Sequence, residues 1–385
     1  GFANGIAQGF GVMVSHAFGA KDFKLLRHYV ALSLILTLII SLLLTIPTVT
    51  ASRLLLAWMH TPENIIAMAD AYIKVIFAGI LLTMAYNVVS GILRGIGDSR
   101  TPLYFLILSS VLNIILDVVL IVYTGLGTAG AAYATIIAQG VSAVLCFFYM
   151  YRKYEILRTR REDYYLDSAG VKNMLAIGVP MALNYSITAI GTMIMQSAVN
   201  VFGSSVVAAF TAASKVSNIA TQSMPTLGTA MATYCGQNLG AGKYDRIYAG
   251  MRQGLFLCFG AAAAAAAICI FGGRFIVSWF VSNPSEEIFS SAMQYLTIAS
   301  WFFLPLAMIF LYRNALQGLD QGLIPMLSGF IELACRFGVI ALVPASTGFF
   351  GVCFADPAAW VGAGIPLFIT YLLWEHRMKQ RRKTA

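Results

Sequence analysis

Runs of about 20 apolar residues recur along the whole of this 385-residue chain and limit its fold more than any other feature. A run of that length crosses the hydrocarbon of a bilayer as a helix, because a helix satisfies every backbone group within its own segment. Eleven segments can be marked, at 1–19, 28–50, 67–94, 101–123, 128–151, 172–202, 207–239, 247–271, 287–317, 322–345 and 349–374. They are too many for a signal peptide, and none carries a cleavage-site pattern. With 59% hydrophobic and 11% charged residues, little chain is left for a separate soluble domain. The expected fold class is an all-α polytopic membrane protein.

The net charge of +9 invites a nucleic-acid reading, and the placement of the charges removes it. Loops alternate between basic and nearly neutral. One set, from Lys21, Lys24 and Arg27 through Arg152, Lys153 and Lys243 to Arg382 and Lys383, holds nineteen basic residues. The opposite set holds Arg53 and Arg274. Basic loops stay on the cytoplasmic side. The expected location is the plasma membrane, multi-pass, with the basic loops and both ends of the complete chain inside. The expected contacts are the lipid bilayer and a small-molecule organic substrate, with no nucleic acid and a monomeric state. The six cysteines fall in or beside apolar segments without a CxxC, so they read as small buried hydrophobes.

The chain repeats itself. "SHAFGAKDFKLLRH" from Ser15 is echoed by "GQNLGAGKYDRIYA" from Gly236. Tyr72 answers Tyr295, Gly95 answers Gly318 at an offset of 223 residues, and Gly130 answers Gly351. Thr61-Pro62-Glu63 and Asn283-Pro284-Ser285 open corresponding helices with capping signals. Two homologous halves explain these echoes in one order. An offset spanning six helices makes them parallel repeats. The boundaries are 1–152 for the N-lobe, 153–171 for a polar cytoplasmic linker and 172–385 for the C-lobe. Equal helix counts further predict an upstream stretch of about 50 residues carrying a first helix, making twelve in all.

At this point the chain resembles a multidrug and toxic compound extrusion (MATE) transporter of the NorM-like bacterial branch. "GAKDF", "LRGIGDSRTP" and "GTAGAAYATIIAQ" carry the resemblance in the first half; "IGVPMALNYSITAIG", "GQNLGAGKYDR" and "IELACRF" carry it in the second. It implies two six-helix lobes around a central cavity. It implies export of small organic, cationic or amphipathic compounds in exchange for Na⁺ or H⁺, with no other cofactor.

An ionisable group inside the bilayer costs at least about 2.5–3.5 kcal/mol on insertion scales, so each asks for a reason. Asp117 sits deep in "SSVLNIILDVVLI", with Asn113 one turn before it and Ser109 and Ser110 continuing that face. Carboxylate and amide oxygens on one stripe can ligate Na⁺; burial can instead raise the carboxylate so that it carries a proton. Thr135 on the next helix adds a hydroxyl. The family resemblance implies the same trio, Asn113, Asp117 and Thr135, as the N-lobe cation site. The alternative is a structural acid bonded to a neighbouring helix.

In the second half Glu332 and Arg336 stand at i, i+4, and Arg313 and Gln317 do the same on the preceding helix. By the repeat offset Glu332 and Arg336 replace Ser109 and Asn113, and Asp356 replaces Thr135. A buried charge network locking helices is favoured over direct coupling; Asp356 either lines a cavity or caps a helix break. Acids that some NorM relatives carry fall here at Thr188 and Leu306. Lys215 is read as structurally bonded rather than as a cation-repelling group, and Lys74 as snorkelling. Asn184, Tyr185, Gln196 and Asn200 are candidates for a substrate cavity.

The nearest rival function is a lipid-linked oligosaccharide or lipid flippase, which needs a wide basic cavity. An enzyme is disfavoured, since HExxH, GxSxG and P-loop patterns are absent from the sequence.

Overall fold

A computed structural model describes residues 1–58, 63–281, 285–342 and 347–384. Thr61, Pro62, Asn283 and Pro284, read as capping signals, lie outside the described residues. No strand occurs among the described residues, and the chain runs helix to helix. The helices are α1 (Phe2–Gly19), α2 (Phe23–Thr50), α3 (Ser52–Trp58), α4 (Glu63–Ala78), α5 (Ile80–Gly95), α6 (Arg100–Val118) and α7 (Gly127–Lys153). After the linker come α8 (Ser168–Asn200), α9 (Ser204–Thr221), α10 (Ser223–Gly240), α11 (Tyr244–Val277), α12 (Glu286–Trp301), α13 (Phe303–Gly318), α14 (Leu323–Leu342), α15 (Gly348–Val352) and α16 (Ala355–Thr384). Among the described residues, seven helices are long and apolar enough to cross a membrane, and nine spans are reached if each of two bent pairs is one. Of the eleven expected segments, α1 and the α9–α10 pair do not meet that measure by themselves.

Four expected spans are broken, segment 349–374 among them at Cys353 and Phe354 between α15 and α16. Segment 67–94 becomes α4 and α5, bent by 45° at Gly79; segment 287–317 becomes α12 and α13, bent by 52° at Phe302. Gly79 and Phe302 are themselves 223 residues apart. Another break falls at Gln222, and Pro225 lies in the first turn of α10, where its missing N–H costs nothing. Pro305 holds the same place in α13.

Packing divides the chain into two units, Phe2–Val179 and Pro180–Ala385 with Gly1, the boundary falling at Pro180 inside α8. Each unit repeats the other's internal contacts. α1 packs on α5 as α10 packs on α13; α6 packs on α7 as α14 packs on α16; α2 meets α4 as α11 meets α12. The closest approaches rest on small residues, as helix pairs in lipid require. A Cβ on Gly95 would lie 2.8 Å from the Gly11 carbonyl oxygen, and one on Gly318 would lie 2.4 Å from that of Ala232. The second unit buries Met224, Leu296, Phe303 and Leu316 fully in its core.

The twice-written loop is a helix stop. Asp22 N–H donates to the Ala17 carbonyl at 3.1 Å, and Lys243 N–H to that of Asn238 at 2.8 Å. This is the wide bond of a Schellman motif, which needs a left-handed residue just before it. That residue is Lys21 (φ 57°) in the first loop and Gly242 (φ 66°) in the second. Gly97 (φ 96°) and Asp320 (φ 60°) repeat the device after α5 and α13, with Asp98 N–H and Gln321 N–H reaching Leu93 and Leu316 at 2.9 Å. A left-handed non-glycine costs about 1–2 kcal/mol. Lys21→Gly is therefore expected to stabilise the protein by about 1 kcal/mol, and Gly242→Lys to destabilise it by about as much. Thermal midpoints of the two variants check this; unchanged midpoints at both would remove backbone strain as the reason for the glycine.

The linker is held down. Leu157 and Asp163 are buried, and Arg27 Nε lies 3.4 Å from an Asp163 oxygen. His28 Nε2 lies 2.7 Å from Asp167 Oδ1, Nδ1 lies 3.0 Å from the Asp163 carbonyl, and Tyr165 stacks on the ring at 4.0 Å. Asp167 also caps α8, accepting from Gly170 N–H at 2.6 Å. That bond foremost, opposed by burial and reinforced by His28, holds the Asp167 carboxyl below the ordinary carboxylate range.

Candidate functional site

In the first unit, α6 buries only Thr101, Pro102 and Ser109. Ser109, Asn113 and Asp117 follow at successive turns; Ser110 points away, exposed, with its hydroxyl on the Leu106 carbonyl. Asn113 Nδ2 donates to Thr135 Oγ1 on α7 at 3.4 Å, and Thr135 donates to the Ala131 carbonyl at 3.0 Å. Asp117 Oδ1 is buried and has no hydrogen-bond partner. The expected alternative, an acid tied to a neighbouring helix, has no bond to support it at that oxygen. One residue after α6 ends, Val119–Tyr123 form a π-turn against α7, where a Cβ on Gly130 would lie 2.8 Å from the Leu120 carbonyl oxygen. Such widened turns occur often at functional positions, and apolar periodicity gives no sign of them.

Lys74 does more than snorkel: its Nζ lies 2.7 Å from Asp70, which also accepts from Ser52 at 2.6 Å.

The second unit contains a cavity of about 660 Å³. Its charged wall is a chain of four residues. Arg313 pairs with Glu332 and donates to Ser328 Oγ at 3.1 Å. Arg336 NH1 lies 3.6 Å from Glu332, and Arg336 Nε donates to Asp356 Oδ1 at 2.8 Å. Tyr295 donates to Asp356 Oδ2 at 2.9 Å. Asp356 lines the cavity from the first turn of α16, with its two oxygens held by Arg336 and Tyr295. Gln317 is buried and lines the same cavity. The cross-helix pairs Arg313–Glu332 and Arg336–Asp356, and the Tyr295 hydroxyl, go beyond the spacing-derived Glu332–Arg336 pair. In the sequence Tyr295 stands out only as an echo of Tyr72.

The cavity is also lined by Asn184, Tyr185, Thr188 and Gln196 of α8 and by Leu306 of α13. Asn200 stands outside the lining, accepting from Gln196 Nε2 at 3.1 Å. Asn184 is buried with both polar side-chain atoms unpartnered. Lys215 departs from its expected structural bond. It is exposed to the cavity, its Nζ lies 5.3 Å over the Phe280 ring, and no acid lies within 4 Å of it among the described residues. The clue was present in the sequence: Thr211, Lys215 and Asn218 recur at helical spacing on α9, opposite buried Ala209, Ala213 and Val216. No group of three metal-ligating side chains occurs among the described residues.

Two units with matching internal packing, polar stripes within apolar helices and a half-enclosed cavity define a helical membrane protein of the transporter kind. The chain belongs to the MATE family: the model described as MatE matches residues 1–119 and 180–342. It is 30% identical over 292 residues to a probable multidrug resistance protein, YpnP, of Bacillus subtilis, covering 76% of this chain and 64% of that protein. The chain thus spans less than two thirds of that relative's length. It is 25% identical over 361 residues to a probable multidrug resistance protein, NorM, of Thermotoga maritima, covering 92% of this chain and 76% of that protein. The fold matches a crystal structure of MATE in complex with MaL6 with a TM-score of 0.91 at 22% identity, over 98% of this chain and 86% of that one.

Proposed function

We propose that the protein is a monomeric secondary antiporter of the plasma membrane, with its basic loops in the cytoplasm. It exports small amphipathic organic compounds as Na⁺ or H⁺ enters, in keeping with the multidrug names its relatives carry. Asp117 is the coupling carboxylate, and Asn113 and Thr135 are its helpers.

The observation that carries the coupling role is the buried, unpartnered Asp117 oxygen, one helical turn beyond the Asn113–Thr135 bond. An unmet buried acceptor costs about 1–3 kcal/mol, and more when charged. A proton or a sodium ion at that oxygen offsets the cost. The ion therefore favours the conformation that buries the carboxylate, and its departure favours one that hydrates it. A ligand shifts such an equilibrium only by its difference in affinity for the two states, which this oxygen supplies.

Reconstituted in vesicles, the protein is expected to export fluorescent amphipaths of one or both charges when a Na⁺ or a proton gradient is imposed. Asp117→Asn keeps the shape of the side chain and removes its charge. Export by that variant should fall to the level of protein-free vesicles while its thermal midpoint stays near wild type. Undiminished export by a folded Asp117→Asn protein would reject the coupling role.

A further inference from the structure

We infer that the cavity of the second unit takes the anionic group of an amphipathic organic compound, a carboxylate or a phosphate, and that Lys215 is the residue that selects it. The inference rests on the transporter reading above and narrows the cationic or amphipathic compounds that the resemblance implied to anionic amphipaths.

The charges of the lining carry the argument. Five ionisable side chains of fixed sign face the cavity: Lys215, Arg313, Arg336, Glu332 and Asp356. Four of them compensate one another. Glu332 stands between Arg313 and Arg336, and Asp356 pairs with Arg336. Lys215 remains, exposed, with an aromatic face beside its ammonium and no acid within 4 Å among the described residues. The lining therefore carries one uncompensated positive charge.

Hydrogen-bond supply points the same way. Lys215 Nζ offers three donors and accepts none. Asn184 Nδ2, the Ser214 hydroxyl and Arg336 NH1 are buried without hydrogen-bond partners, against one unpartnered acceptor, the neutral Asn184 Oδ1, and all three residues line the cavity. The two acids that could accept from them are already engaged by Arg313, Arg336 and Tyr295. What the cavity lacks is an acceptor bearing negative charge. The rest of the lining suits an amphipathic body: Met181, Met195, Phe210, Leu306, Phe310 and Trp360 are apolar or adaptable. A cavity of about 660 Å³ accommodates one such molecule.

Binding to the detergent-purified protein, with no ion gradient, tests this independently of export. The probes are two xanthene dyes of similar body and opposite charge, carboxyfluorescein and tetramethylrhodamine methyl ester, followed by fluorescence anisotropy. The anionic dye should bind more tightly. Lys215→Met should weaken it about ten- to a hundredfold, the size of one charge-assisted hydrogen bond, and leave the cationic dye unweakened. Lys215→Arg should retain most of the binding, and Lys215→Glu should reverse the preference. Because Lys215 is exposed and unpaired with an acid, none of these changes strands a buried charge, and thermal midpoints should hold. Displacement of the anionic dye by short-chain phosphatidylglycerol, and not by its choline counterpart, would name a lipid head group as the source of the anion. Displacement by neither would name a soluble organic anion, and both results support the site. Tighter binding of the cationic dye, or binding of the anion that ignores Lys215, would overturn it. If the anion binds as expected and no gradient drives export, the antiport reading fails and this one stands.

Discussion

Arg336→Met is expected to destabilise the protein by about 3–5 kcal/mol, among the largest losses any single side chain here would cause. The guanidinium is 5% exposed as a residue and sits between two acids, 2.8 Å from Asp356 and 3.6 Å from Glu332. A Cβ on Gly191 would lie 2.7 Å from its NH1, so the backbone of α8 closes directly over it. Removing the cation leaves Glu332 with Arg313, and leaves Asp356 with only a tyrosine hydroxyl. A buried carboxylate so stranded must either stay charged without compensation or take up a proton. The penalty is thus mainly the cost of the acid left behind. Asp356→Asn in the same chain should recover a large part of it. Thermal unfolding in detergent measures both. A wild-type midpoint for Arg336→Met, or a double variant no better than the single one, would show that the pair does not hold these helices.

The second large effect concerns backbone contact. Gly318→Ala is expected to lower stability by about 1–3 kcal/mol and Gly318→Val by more, because the new carbon would meet the Ala232 carbonyl at 2.4 Å. Nothing flexible stands there to yield; α10 and α13 must move apart. Alanine is otherwise better than glycine in a helix by about 1 kcal/mol. Gly260→Ala in α11, where a Cβ would meet nothing within 4 Å, should therefore be neutral or mildly stabilising. The same chemical change is expected to have opposite signs at two helical sites. Gly95→Ala should follow Gly318→Ala, since its Cβ would meet the Gly11 carbonyl at 2.8 Å. Equal behaviour of Gly318→Ala and Gly260→Ala would mean that the helix crossing tolerates the added carbon.

These sites also mark how far the sequence reaches. The correspondence of Gly95 with Gly318 is readable as a repeat, because glycine is needed where two helix backbones meet. The polar stripe of Asn113 and Asp117 is readable because helical spacing decides which residues share a face. Thr135, on the next helix, joins that stripe through the family resemblance, since spacing along α6 does not reach it. The bend at Phe302 is legible in Pro305, whose ring clashes with the carbonyl four residues back, whereas Gly79 marks its own bend only as a residue that weakens a helix. Arg313–Glu332 and Arg336–Asp356 join different helices, and periodicity along one helix has nothing to say about its neighbour. The setting of Lys215 is illegible for the same reason. A lysine in an apolar segment suggests a hidden acid, but the deciding fact is that α9 turns it toward a cavity.

The linker has a consequence for how the protein is made. Arg27, His28, Leu157, Asp163, Tyr165 and Asp167 all precede α8 in the chain. Every partner that fastens the linker has therefore left the ribosome before the body of the second half is synthesised. Domains generally fold as units, the N-terminal one first. The first half can close over its own tail while the second is still unmade, and translation then resumes from a fastened end at Asp167. A duplicated chain, whose halves resemble each other enough to exchange partners, is thereby made in an order in which the first half has finished choosing before its near-copy exists.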